Sequence, residues 1–191
     1  MPLKTLLNFR LRCSVMFEII VATDNKRGIG KEGALPWSVP RDLKRFKHLT
    51  SQTKNPNAQN MLVMGRKTAE SLPNGALPNR LNVVLSTQNS SKEGFVYVSS
   101  WDAMCALAEE KKAEGVIERV FIIGGSAVYK RALEDKKTTR IWQTKLYDSF
   151  SCDAFFPSYD SSEWQGLYAS SVIVPEKGPN MAFFSYAKRP V

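Results

Sequence analysis

Residues Arg119–Leu133 read RVFIIGGSAVYKRAL. Arg119–Ile123 reads as a strand, and its apolar run Val120–Ile123 is that of a buried one. Gly124 and Gly125 follow it, and a helix then runs through Leu133. Two glycines between a buried strand and a helix N-terminus let the backbone approach a pyrophosphate closely. The same pair also suits a tight strand–helix turn. A strand feeding a helix in this way is the repeating unit of a parallel α/β sheet.

Working outward, Phe17–Thr23, Met61–Met64, Leu81–Ser86 and Thr139–Leu146 read as further buried strands. Val39–Thr50 and Trp101–Lys112 read as helices, the second with Trp101, Met104, Cys105 and Ala108 on one stripe. Asp24–Trp37 reads as a Gly-rich loop and Thr50–Asn60 as a polar connector. Gln165–Val174 and Met181–Lys188 flank Lys177-Gly178 and suggest an antiparallel hairpin. The fold class expected is therefore α/β: a central, mostly parallel twisted sheet, helices on both faces, and a C-terminal antiparallel hairpin. There is no internal repeat and no linker long enough to divide the chain. One domain over 17–191 is expected, preceded by an extension over 1–16.

The 191 residues carry 27 Lys+Arg against 18 Asp+Glu, a net charge of +9, which calls for an anionic partner. Lys4, Arg10 and Arg12 lie in the acid-free extension. That segment fits a mitochondrial presequence, upstream sequence before a start at Met16, or a docked arm. The location expected is cytoplasmic, or mitochondrial if the extension is a presequence. With three dispersed cysteines (Cys13, Cys105, Cys152) and one histidine, a disulfide framework and a Cys/His zinc site are disfavoured, and no metal is expected. Asn89-Ser90-Ser91 matches a glycosylation sequon, but nothing supports secretion. No apolar stretch is long enough to span a membrane.

Gly28-Ile29-Gly30-Lys31-Glu32-Gly33 matches G-x-G-x-x-G. A dinucleotide fingerprint requires the motif to join a strand directly to a helix. Here Ala34-Leu35-Pro36-Trp37 follows, so a flexible loop needing positive φ, or a mobile lid, is the better reading. Gly65-Arg66-Lys67-Thr68 is similar to the end of a phosphate-binding loop but lacks its upstream glycine. It reads either as an anion site or as a solvated basic turn. In the helix after Trp37, the apolar arc comprises Val39, Leu43, Phe46, Leu49 and Thr50. Arg41, Lys44, Arg45, Lys47 and His48 form a basic face that is solvated by default. Asp42 falls inside the apolar arc. It caps the helix, pairs with Arg41 or Arg45, or grips a flat polar heterocycle with its two acceptor oxygens. A raised pKa there would let it deliver a proton near neutral pH.

In this order, Ile20-Val21-Ala22, Gly28-Ile29-Gly30, Leu35-Pro36-Trp37, Asp42 with Phe46, Met64-Gly65-Arg66-Lys67-Thr68, Leu77 with Arg80, Ile123-Gly124-Gly125-Ser126, Tyr129, Thr144 and Phe155-Phe156-Pro157 resemble the dihydrofolate reductase family. The likeness runs from about Phe17 to Lys188. It implies NADPH-dependent reduction of 7,8-dihydrofolate to tetrahydrofolate, by hydride transfer to C6 and Asp42-assisted protonation of N5. On this resemblance Asp42, Trp37, Leu35 and Thr144 would serve the chemistry, with Gly28–Gly33 as part of a mobile lid. The pterin and its tail would meet Ile20, Val21, Ala22, Leu43, Phe46, Ser71, Leu72, Leu77, Ile123 and Tyr129, with Arg80 on the glutamate α-carboxylate. The cofactor would lie along Ala22, Ile29, Gly30, Gly33, Gly65, Arg66, Lys67, Thr68, Leu85, Ser86, Thr87, Ile123, Gly124, Gly125, Ser126, Ala127, Val128 and Tyr129. Arg66 and Lys67, with Ser86, would hold its 2′-phosphate.

The sequence departs from the family pattern in places. Ala69 stands where a Trp usually follows the Met-Gly-Arg-Lys-Thr motif. Gly75-Ala76-Leu77 precedes Arg80 where an Arg often precedes Pro-Leu. Thr87 and Ser100 replace basic residues found near the 2′-phosphate in vertebrate-like members. As the chain ends at Val191, no fused thymidylate synthase is expected. The resemblance implies a monomer that binds dihydrofolate and antifolates, and neither nucleic acid nor membrane. The rival readings are a riboflavin-pathway pyrimidine reductase and a non-catalytic nucleotide-binding paralogue.

Overall fold

The computed structural model of the protein describes residues 15–88 and 91–190. Among these, the chain runs β1 (Phe17–Thr23), β2 (Gly28–Gly30), α1 (Pro40–Ser51), β3 (Gln59–Gly65), α2 (Arg66–Glu70), β4 (Arg80–Leu85), β5 (Phe95–Val98), α3 (Trp101–Ala113), β6 (Ile117–Gly124), α4 (Ser126–Glu134), β7 (Thr138–Leu146), β8 (Ala154–Phe155), β9 (Trp164–Ala169) and β10 (Met181–Lys188). Eight strands form one sheet in the order β5-β4-β3-β6-β1-β7-β10-β9. Only β10 runs against the rest, pairing antiparallel with both β7 and β9. The expected parallel sheet with a C-terminal antiparallel hairpin is thus what forms.

The strands are continuous apolar runs because both faces of the sheet are covered. Phe17, Ile19 and Val21 of β1 join Met61 and Val63 of β3 in one core, under Trp101, Met104 and Ala108 of α3 and Val128 and Ala132 of α4. Ile20, Leu62, Met64 and Phe121 point the other way, toward Ala69 of α2 and Phe46 and Leu49 of α1. Val15 is already buried in the first core, so the folded body begins before β1. Residues 1–14 of the extension expected over 1–16, Cys13 included, and the sequon residues Asn89 and Ser90 lie outside the described residues.

Two short pairings differ from the expectation. The Gly-rich segment is not simply a loop: Gly28–Gly30 is a strand paired with β8. Of its three glycines only Gly33 has positive φ (+79°). Gly28 is needed for space instead, since a Cβ there would collide with the Cys152 side chain. The edge strand β5 has no counterpart in the sequence reading. It is four residues long, begins after Gly94 at φ +80° and pairs with β4 alone.

One detail of register positions the site. β1 pairs with β6 only over Phe17–Ile19, while it stays paired with β7 as far as Thr23. Beyond Ile19 the two central strands part. The crevice at the carboxyl ends of parallel strands is where open α/β sheets bind ligands.

Candidate active site

Helix α1 stands beside this crevice. Pro40 occupies its first turn, where a missing N–H costs nothing, and Asp42 lies in the same turn. The Asp42 side chain does not cap the helix. It reaches across to the sheet, where Oδ1 accepts a hydrogen bond from the Thr144 hydroxyl at 2.6 Å. Thr144 is buried in β7, opposite Ala22 of β1. Burial pushes the Asp42 carboxyl above the usual carboxylate range. The Thr144 hydrogen bond and the positive charge of Arg45 pull the other way. The result is an acid on an apolar wall with its remaining oxygen, Oδ2, uncommitted among the described residues.

The walls are apolar and incompletely covered. Leu43 of α1 is 53% exposed despite its place in the apolar arc, and Phe46, Leu72 and Leu77 are half-buried. A row of half-covered apolar side chains is what an open ligand cleft presents. Trp37 is buried beside Ala22, its ring 5.0 Å from that of Phe150. Its Nε1 is buried without a hydrogen-bond partner among the described residues. Such an orphan donor needs water or a ligand. At the far end Arg80 is buried and fixed by two acceptors, Pro78 O to Nε at 2.9 Å and Thr50 Oγ1 to Nη1 at 3.0 Å.

On the other side of the crevice, the starts of α2 and α4 approach each other. A Cβ on Gly65 would lie 3.3 Å from Val128 Cγ2, and one on Gly125 would lie 3.6 Å from Thr68 Oγ1. Gly124 has φ +122°, a backbone region that favours glycine, with the Tyr129 ring packed against it. Next to these turns lies a cavity of about 470 Å³, lined by Arg66, Leu85, Ser86, Thr87, Ala127 and Val128 among others. Arg66 also pairs with Glu70.

Several expected site residues are placed differently. The Val21 side chain belongs to the core on the opposite face of the sheet from Asp42, because alternate residues of a strand point to opposite sides. The Tyr129 hydroxyl is spent on Ile20 O at 2.9 Å, so Tyr129 acts from behind that carbonyl. The Ser71 hydroxyl turns back to Thr68 O. Lys67 is exposed and does not line the cavity, whereas Arg66 does. Leu35 and Gly33 are exposed on the segment after β2.

Arg45 is not on a solvated face. It is half-buried, with Cζ 4.5 Å from the Phe183 ring centroid and Nη1 donating to Thr144 Oγ1 at 3.3 Å. Its position three residues after Asp42, one turn on, was the available signal, since such pairs share a helix face. Arg131, which the sequence reading did not single out, lines the cavity with its guanidinium 5.4 Å from the Trp101 ring centroid.

A family model described as dihydrofolate reductase matches residues 16–189. The chain is 37% identical over 151 residues to the dihydrofolate reductase of Drosophila melanogaster, covering 76% of this chain and 81% of that one. It is 38% identical over 178 residues to bifunctional dihydrofolate reductase-thymidylate synthase 2 of Arabidopsis thaliana, covering 90% of this chain but only 31% of that protein. The chain thus spans about a third of the length of its bifunctional plant relatives. Among solved structures, dihydrofolate reductase from Enterococcus faecalis complexed with NADP(H) and RAB-propyl superposes with a TM-score of 0.78. The identity is 32%, over 92% of this chain and 97% of that one.

Proposed function

The chain belongs to the dihydrofolate reductase family, and we propose that it catalyses the NADPH-dependent reduction of 7,8-dihydrofolate to tetrahydrofolate. The observation that carries this reading is the hydrogen bond between the half-buried Asp42 and the buried Thr144, at the crevice where β1 leaves β6. A carboxylate with one free oxygen on an apolar wall suits the amidine-like edge of a pterin.

The residues present fit a dinucleotide. Gly65 and Gly125 leave room that side chains would fill, and the adjoining cavity has basic groups from Arg66 and Arg131 for a phosphorylated ribose. Arg66, Ser86 and Arg131 would hold the 2′-phosphate end, with Thr68 and Gly124–Val128 along the pyrophosphate. When bound, NADPH supplies the hydride.

The chain's own residues do the rest. Asp42 fixes the pterin's orientation and serves the N5 proton through water, and Thr144 holds Asp42 in place. Trp37 offers its unpartnered N–H to that water. Phe46, Leu72 and Leu77 exclude solvent from the aminobenzoyl portion. Arg80 pairs with the glutamate α-carboxylate, and Leu35 with the Gly28–Gly33 segment covers the site. The partners are small molecules, substrate and antifolates, bound by a monomer in the cytoplasm. Among the described residues no helix is long and apolar enough to cross a membrane.

The test follows NADPH oxidation with and without dihydrofolate. Dihydrofolate-dependent turnover is expected in the wild type, with a loss of at least about 100-fold in Asp42→Asn. Absence of dihydrofolate-dependent turnover in the wild type would return the choice to a pyrimidine reductase or a silent nucleotide binder.

A further inference from the structure

The Arg45 guanidinium reaches from α1 across to β7 and β10. Nη1 donates to Thr144 Oγ1 at 3.3 Å, Nη2 donates to Phe184 O at 3.4 Å, and the Phe183 and Trp142 rings lie 4.5 and 5.9 Å from Cζ. Two strands, β7 and β10, therefore hold this side chain of α1. The hydroxyl it contacts is the one that donates to Asp42 at 2.6 Å. A threonine hydroxyl has one proton and can point it in only one direction. With Arg45 donating into its oxygen, that proton is directed at Asp42.

We infer that Arg45 is a positioning residue for the catalytic carboxyl: it locks Thr144 as a donor to Asp42 and so sets the pH at which Asp42 exchanges its proton. The guanidinium makes no salt bridge with Asp42 among the described residues; it acts on the carboxyl by its charge and, through the hydrogen bond to Thr144, by fixing the hydroxyl that donates to it.

The charged and titratable surroundings are few. The Tyr129 hydroxyl of α4 senses the Asp42 charge but is committed to Ile20 O. Tyr168 of β9 bears on Arg45. The other basic residues of α1, Arg41, Lys44, Lys47 and His48, are exposed. Arg45 is the cation whose charge bears on Asp42, and it favours the ionised form.

This inference rests on the reductase reading for its catalytic consequence but not for its electrostatic one, and the test separates the two. The side-chain carboxyl carbon of Asp42 is titrated by NMR in the wild type, Arg45→Met and Arg45→Lys, without substrate. The pH profile of dihydrofolate-dependent NADPH oxidation is measured on the same proteins. Arg45→Met is expected to move the Asp42 midpoint upward by roughly half a pH unit or more. The alkaline fall in turnover should move with it, and Arg45→Lys should restore part of the shift. In a Thr144→Val background the effect of Arg45→Met should fall to less than about half. An unchanged midpoint in Arg45→Met would overturn the inference, and an undiminished effect without the threonine hydroxyl would overturn the relay. Wild-type protein without dihydrofolate-dependent turnover would sink the reductase reading alone, because the carbon titration needs no turnover.

Discussion

Thr50 holds Arg80. The Thr50 hydroxyl accepts from Nη1 at 3.0 Å and donates to Phe46 O at 2.8 Å, so the last turn of α1 and the start of β4 are joined through one oxygen. Thr50 O in turn accepts from Asn60 Nδ2 at 3.0 Å. Pro78 O takes Nε, leaving Nη2 for a ligand carboxylate.

Thr50→Val keeps the shape and removes the acceptor. It should cost about 1–3 kcal/mol of stability by leaving a buried guanidinium donor unsatisfied. The freed side chain should raise KM for dihydrofolate roughly tenfold, the equivalent of one charge-assisted hydrogen bond, and change kcat little. Urea unfolding and steady-state kinetics on one preparation check both. An unchanged KM would mean that the guanidinium needs no such support.

The placement of Asp42 carries a stability cost. Its carboxyl is raised above its unfolded value, chiefly by burial. In the intervening pH range the native state binds more protons than the unfolded one, so stability falls as pH rises from the unfolded value through the folded one. Asp42→Asn should therefore raise Tm at pH 7 by a few degrees, and the gain should shrink as the pH is lowered toward 4. Calorimetry at the two pH values reads this directly. An equal gain at both would show that ionisation is not the cause.

The sheet was legible in the sequence because its strands are buried on both faces and read as unbroken apolar runs, as Phe17–Thr23 and Val120–Ile123 do. Asp42 was legible as an anomaly: an acid in an apolar arc. The β2–β8 pairing was not, because two- and three-residue strands carry no periodicity and their pairing is set by distant contacts such as Gly28 against Cys152. The burial of Arg45 was not legible either. A helical wheel takes the helix as lying flat on its apolar face, whereas here Phe183 of β10 provides a second surface for the flank of α1. Arg131 was hidden for the opposite reason. Exposed on α4, it gains meaning only from the cavity that β4, α3 and α4 enclose together.

The cavity beside Arg66 predicts how cofactor choice is divided. Arg66 spends part of its charge on Glu70, with both side chains substantially exposed, so that pair contributes little to stability. Arg66→Ala should raise KM for NADPH by about 10- to 100-fold, as expected for loss of charge-assisted hydrogen bonds to a phosphate, and leave KM for NADH nearly unchanged. Arg131→Ala should show the same selectivity with a smaller effect. Lys67→Ala, which lies outside the cavity, should show little. Parallel assays with the two cofactors check the ranking, and an equal loss with NADH in Arg66→Ala would remove the 2′-phosphate from the site assigned to it.

Gly28 gives the sharpest test of the active-site cover. Asp24, buried below it, accepts from Gly28 N at 2.6 Å and Lys26 N at 2.8 Å through Oδ1, and from Phe150 N at 2.9 Å through Oδ2. One carboxylate thus ties the root of the β2 segment to the loop that carries Phe150, whose ring meets Trp37. Into this junction Cys152 packs against Gly28 where a side chain would otherwise sit. Gly28→Ala must push the Cys152 side chain aside and should destabilise the protein by about 1–3 kcal/mol, the usual range for overpacking. It should also shift Phe150 and with it Trp37, lowering turnover as well as stability. In a Cys152→Gly background the two nearest obstructing atoms are gone and only Asp24 Cγ, at 3.0 Å, stays tight, so the stability cost of Gly28→Ala should fall well below its single-mutant value. Urea unfolding of the four proteins in this cycle measures the coupling, and their dihydrofolate-dependent turnover reads the effect on the cover. Additive effects would show that the close approach of Gly28 and Cys152 does not constrain the cover.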